Sequence, residues 1–470
     1  MKEILTMDAT TLSRELKKGT WSVEDVLKTY YSHIRKVNPH INAVVETRWD
    51  EALKEAQQIK AQGFKGRLAG VPFSMKESFF AKGTITSGGL PHHAFSPRSS
   101  DAEVVRRLKK EGAILLAKTN TPALCLCQET DNLLHGRTNN PWDLSKTAGG
   151  SSGGEGALIA AGGAAVGIGA DIGGSIRFPA HFNGVIGFKS GMNQVPDDGL
   201  FPKLAHPLQQ KMQGIGALSK SVADAKLIHQ IISDGPYQSQ NLSDYILSIP
   251  DPRFLTPVNN STYQLYDQIH AFLKSDFPID QKLPPYFFDA TQMWLWIMSF
   301  DGAKSFIDQT GLSHTGGVMW DWIKAKTGFK PRYHTYLTWV LLAAAFFSPS
   351  SRTWKDLLLQ WRKKKMEVYD SLQHRILILP VYHSPALPHG KFFREVFSIR
   401  QTLFKYLPQV TYANAFGLCA LTIPIGESAD RLPVAFQLVT TPGQEDALFQ
   451  LGTVMESRFR GYVRATRYDS

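Results

Sequence analysis

Between positions 149 and 154 the chain reads Gly149-Gly150-Ser151-Ser152-Gly153-Gly154, a run of small hydroxyl side chains and glycines that could serve three kinds of chemistry. A phosphate-cradling loop needs a lysine and a hydroxyl residue straight after its glycines, but Glu155 stands there and sets negative charge where a phosphate would sit. A dinucleotide-binding turn fares no better, because Gly167-Ile168-Gly169-Ala170-Asp171-Ile172 lacks the third glycine. The third chemistry is nucleophilic: Gly149-x-Ser151-x-Gly153 has the form of an elbow that presents a serine for attack. Such an elbow follows a strand directly, whereas the upstream Asn139-Asn140-Pro141-Trp142-Asp143 is turn chemistry. None of the 14 histidines stands out as the partner of a Ser-His-Asp arrangement, so a base other than histidine is expected.

Two further stretches narrow the choice: Gly70-Val71-Pro72-Phe73-Ser74-Met75-Lys76-Glu77, and Asp171-Ile172-Gly173-Gly174-Ser175-Ile176-Arg177-Phe178-Pro179-Ala180. Together with the Gly-Gly-Ser-Ser-Gly-Gly run they closely resemble the amidase signature family. The resemblance implies a Ser-Ser-Lys triad at Lys76, Ser151 and Ser175, with Ser175 as nucleophile and a cis peptide bond ahead of Ser151. It extends to Thr119-Asn120-Thr121-Pro122 and to the stretch from Asn414 to Gln437. Local departures are Ala435, where glycine is common, and Val381, where threonine is usual. Gly-Gly-Glu-Gly ending at Gly156 is most similar to the fatty-acid amide hydrolase branch.

The chemistry of this set is self-consistent. A serine hydroxyl is a poor nucleophile until a base takes its proton, and a lysine can do so only when burial favours its neutral form. Met75, Phe79 and Phe80 are expected to wall Lys76 in, and Ser151 to relay the proton between Lys76 and Ser175. The glycines beside Ser175 leave the backbone N–H groups of Ile172, Gly173, Gly174 and Ser175 as oxyanion donors. Asp171 and Arg177 are expected to brace that turn rather than react. The resemblance places the loop carrying Leu124, Cys125 and Leu126 in the wall of an acyl channel, so Cys125 is a candidate substrate contact.

The rest of the composition excludes more than it assigns. With 470 residues, 43% hydrophobic and 20% charged, the chain has the make-up of a globular protein with a large core. A net charge of +11 favours anionic partners in general, but the densest basic run, Arg362-Lys363-Lys364-Lys365, reads as a solvated helix face and no basic-aromatic motif points to nucleic acid. Three cysteines, Cys125, Cys127 and Cys419, suit a reducing compartment, and no histidine-cysteine spacing suggests a metal. No metal or other cofactor is expected. The N-terminus lacks a signal-peptide pattern, so a cytoplasmic protein is expected, and the apolar run from Tyr336 to Phe347 is too short to span a bilayer. Peripheral membrane contact and homo-oligomerisation stay open.

The elements that must position these residues alternate in type. Ser22-Val23-Glu24-Asp25 has the form of a capping box, and an apolar stripe through Val23, Val26, Leu27, Tyr30, Ile34 and Val37 predicts a helix ended by Pro39. A strand at 43–45, a helix from Trp49 to Ala61 closed by Gly63, a helix from Asp101 to Glu111 and a buried strand at 114–117 follow. The expected fold class is α/β, and the resemblance specifies the amidase signature fold, a large mixed β-sheet core covered by helices on both faces. One domain is expected over 1–470, with the signature core at about 65–200, a variable pocket segment at about 235–390 and the returning core from about 391. Core-grade residues punctuate the glycines between Gly149 and Gly191, so these glycines are read as close packing.

The expected activity is hydrolysis of carboxylic amides, hydrophobic acyl or aryl ones in particular, through an acyl-enzyme. The amidase-like subunit of a glutamine-dependent tRNA amidotransferase is the alternative, and a catalytically dead scaffold a third reading.

Overall fold

The computed structural model describes residues 3–91, 96–312, 314–397 and 400–469. Its centre is one mixed sheet of eleven strands: β1 (Val44–Thr47), β2 (Pro72–Lys76), β3 (Ile114–Thr119), β4 (Val166–Asp171), β5 (Ile186–Lys189), β6 (Gly214–Ser219), β7 (Ile246–Ser248), β8 (Ile279–Asp280), β9 (Arg375–Pro380), β10 (Cys419–Glu427) and β11 (Pro433–Thr440), in the order β1-β3-β2-β4-β6-β5-β10-β11-β9-β7-β8. Parallel pairing of β2 with both β3 and β4 sits beside antiparallel pairing of β4 with β6. The segment expected to be variable adds β7, β8 and β9 to this same sheet through the pairing of β9 with β11.

Alternation along the strands shows why both faces need cover. In β9, Ile376 and Ile378 pack with Phe449 and Leu451 of the helix Glu445–Arg458, whereas Leu377 and Leu379 face the opposite way, into the cluster holding Phe178, Trp294 and Trp361. All four are buried. Two apolar layers on opposite faces of one sheet give the expected α/β arrangement.

Local signals place the helices. Ser22 Oγ accepts the Asp25 N–H at 3.0 Å, and the predicted stripe from Val23 to Val37 is buried. The helix, however, runs to Ile41, past Pro39. Proline removes one backbone donor, and so close to the C-terminus the loss is confined to the last turn, which Asn42 closes in the left-handed region. Trp49–Ala61 forms as expected, and the next helix covers Glu103–Lys110. The glycine-rich helix Gly153–Ala161 is buried along its whole length. A Cβ on Gly154 would stand 2.5 Å from the Asn120 nitrogen, so close packing is what these glycines allow.

Candidate active site

Lys76 is the last residue of β2, 1% exposed, and its Nζ donates to Ser151 Oγ at 2.7 Å. Strand alternation sends Met75 to the other side, where it joins the core with Phe79 and, at its margin, Phe80. The expected apolar wall around Lys76 is therefore corrected: Ser78, Leu124 and Ser151 share its cleft instead.

Ser151 follows a cis peptide bond from Gly150, as the resemblance implied. Its carbonyl accepts from Thr121 Oγ1 at 3.0 Å, and the Ser152 N–H donates to the Ser175 carbonyl at 3.0 Å. The two serine segments are thus stitched together by backbone. Lys76, Ser151, Ser175, Ile172 and Cys125 line one cleft of about 410 Å³. Among the described residues the Ser175 hydroxyl has no hydrogen-bond partner, so Lys76–Ser151 is the one side-chain bond of the expected triad that is present.

Ser175 sits at the end of the turn that follows β4, just ahead of the helix Arg177–Asn183. Gly174 has φ of 95°, and a Cβ there would stand 2.4 Å from the Phe178 ring, so only glycine fits. Its N–H donates to Asp171 Oδ1 at 2.8 Å. Gly174 is therefore not a free oxyanion donor in this structure, against expectation, because the Asp171 side chain folds back over the turn that it begins. The N–H groups of Ile172, Gly173 and Ser175 have no acceptor among the described residues.

Arg177 and Asp171 form a fully buried bidentate pair, with Nε to Oδ2 and Nη2 to Oδ1 both at 3.0 Å. Arg177 also reaches Asn414 Oδ1 at 2.6 Å, the Val410 carbonyl at 2.9 Å and Gln437 Oε1 at 3.0 Å. Burial opposes ionisation of Asp171, but the charge and hydrogen bonds of Arg177, with Lys189 and Asn414, outweigh it and hold the carboxyl below the usual carboxylate range. The pair braces the turn, as expected.

Glu155 packs against β2 and β3. Its carboxyl is fully buried and accepts from Ser74 Oγ and Thr119 Oγ1, each at 2.6 Å. Burial raises its pKa to about 8, opposed by those two hydroxyls and by the charge of Lys76. In sequence its position speaks against a phosphate loop, and nothing local signals its proximity to Lys76.

A second cavity of about 770 Å³ opens from Ser175 and Gly173, lined by Cys125, Trp294, Leu295, Met298, Phe306, Leu341 and Phe347 among others. The helix Asp289–Met298 contributes Trp294, Leu295 and Met298 to this wall, and the helix Thr335–Phe346 contributes Val340, Leu341, Ala343 and Ala344. One side of the apolar run at 336–347, from Val340 to Phe347, thus faces the cavity, while Leu337 and Leu342 join the core, and among the described residues no helix is long and apolar enough to cross a membrane. Cys125 has φ of 57° and lines both cavities, with its thiol 3.3 Å from Thr121 Oγ1.

The family model described as Amidase matches residues 25–264 and 285–449. The chain belongs to the amidase signature family. Fatty-acid amide hydrolase 2-B of Danio rerio is 31% identical, covering 98% of this chain and 91% of the relative. One component of the glutamyl-tRNA(Gln) amidotransferase of Fusobacterium nucleatum is 27% identical over 95% and 94% of the two chains. The solved structure of 6-aminohexanoate cyclic dimer hydrolase superposes with a TM-score of 0.82, at 23% identity and 99% coverage of both chains, and shows the shared fold. Family membership makes this chain an amidase, an enzyme acting on carboxylic amides.

Proposed function

We propose that this amidase hydrolyses hydrophobic acyl or aryl amides through an acyl-enzyme on Ser175, with Ser151 as relay and Lys76 as base. The observation that carries the reading is the junction of two cavities at Ser175: one holds the Lys76–Ser151 bond, the other an apolar wall. Lys76 takes a proton from Ser151, which takes the Ser175 proton as Oγ attacks the carbonyl carbon. This transfer needs the two serine hydroxyls to close to hydrogen-bond distance when substrate is bound. The oxyanion falls to the N–H groups of Ile172, Gly173 and Ser175. The C–N bond then breaks, and the departing nitrogen takes its proton from Lys76 through Ser151. Water attacks the acyl-Ser175 ester and releases the acid.

The amidotransferase reading has less support: the relative of that name is the more distant of the two compared, and the cavity at Ser175 is apolar. The purified chain alone is expected to turn over hexanamide or an aryl amide, and a fluorophosphonate to label Ser175. Activity that appears only with partner proteins and acyl-tRNA would favour the alternative.

A further inference from the structure

No motif singles out Gln128, yet it touches both halves of the active site. It is 6% exposed and lines the apolar cavity together with Gly173 and Ser175. Its backbone lies against Gly150, where an added Cβ would stand 2.8 Å from the Gln128 carbonyl carbon. Its Nε2 donates to the Gly173 carbonyl at 3.3 Å. Its Oε1 is buried and has no partner among the described residues. The Gly173 carbonyl fixes this orientation, since the reversed carboxamide would set two acceptor oxygens against each other.

A buried acceptor without a donor is costly, and a substrate that supplies the donor recovers that cost. The Trp294 indole N–H in the same wall is already committed to the Ile172 carbonyl. Amides and their ester counterparts differ at the leaving atom in one respect that such an acceptor can read: a primary or secondary amide carries an N–H there, and an ester or tertiary amide does not. We infer that Gln128 is a specificity-determining residue whose Oε1 accepts the N–H of the scissile amide, selecting primary and secondary amides over esters and tertiary amides. The inference rests on the amidase reading of Ser175. Sites that discriminate by leaving a buried polar group unpaired against the wrong substrate do so strongly.

The test compares kcat/KM for hexanoyl p-nitroanilide, its N-methyl analogue and hexanoyl p-nitrophenyl ester. In the wild type, the anilide is expected to be favoured over the N-methyl anilide about tenfold or more beyond their ratio in alkaline hydrolysis, the gain of one hydrogen bond. In Gln128→Leu, the ratio of anilide to ester kcat/KM is expected to fall about tenfold or more. Parallel losses on all three compounds would overturn the inference, because Gln128 would then act only by holding the Gly173 turn. If Gln128→Leu does not fold, the wild-type anilide preference decides alone, and a ratio equal to that in alkali overturns the inference. A wild type that neither binds fluorophosphonate covalently nor cleaves any of the three overturns the Ser175 reading as well, whereas activity with no selectivity overturns only the role of Gln128.

Discussion

The indole N–H of Trp294 donates to the carbonyl of Ile172 at 2.7 Å, tying the helix Asp289–Met298 to the turn that carries Ser175. The same ring closes over Gly173, where a Cβ would stand 2.8 Å from Trp294 Cζ2. The wall of the apolar cavity and the oxyanion turn are thus one packed unit, so a change in the first is transmitted to the second.

Trp294→Phe keeps a ring against Gly173 and removes the donor. One hydrogen bond of about 1 kcal/mol is at stake, so kcat/KM and the rate of fluorophosphonate labelling should both fall about three- to tenfold. Labelling at the wild-type rate would show that Trp294 serves only as wall.

Ser175→Ala should abolish turnover and covalent labelling with the fold intact. Lys76→Ala should lower the rate by about two to four orders of magnitude, the usual contribution of a positioned base. Ser151→Ala should be damaging but less so than Ser175→Ala, because a water can partly replace the relay. Mass spectrometry of the labelled protein and steady-state rates check all three, and an acylated Ser175→Ala enzyme would end the nucleophile assignment.

Substrate length offers a graded test. Each methylene buried in the cavity is worth about 0.8 kcal/mol, roughly fourfold. From two-carbon to six-carbon acyl amides kcat/KM should therefore climb by more than an order of magnitude. A flat series would mean that Trp294, Leu341 and Phe347 do not meet the acyl chain.

Glu155 makes a prediction about pH and stability. Its pKa stands near 8 in the folded protein against an ordinary 4.5, chiefly through burial. The folded state then keeps a proton that the unfolded chain releases, so this group's contribution to stability declines as pH rises from about 4.5 to about 8 and is flat outside that window. The total is about 2–5 kcal/mol. Glu155→Gln cannot titrate and keeps partners for Ser74 and Thr119, so the variant should gain on the wild type in thermal scans between pH 5 and pH 8. A difference in Tm that stays constant over that range would show that Glu155 is ionised throughout.

What the chain declares locally was legible from its residues. Helix Trp49–Ala61 and the buried strand beginning at Ile114 follow from apolar period, caps and glycine stops, all of which act over a few residues. The chemistry-bearing motifs at Lys76, Ser151 and Ser175 could likewise be read as a set, and the structure brings all three to one cleft. Period and spacing, however, carry no information on which groups meet across the sheet. That Gly174 spends its N–H on Asp171, that Met75 turns away from Lys76, and that Arg177 reaches Gln437 depend on strand alternation and on contacts spanning up to 260 residues. The same holds for Gln128, an unremarkable residue in sequence whose Nε2 is bound by the Gly173 carbonyl and whose buried Oε1 has no partner among the described residues. Local interactions sufficed to shape the elements, whereas donor and acceptor pairing inside the site was decided by burial, which the tertiary structure alone imposes.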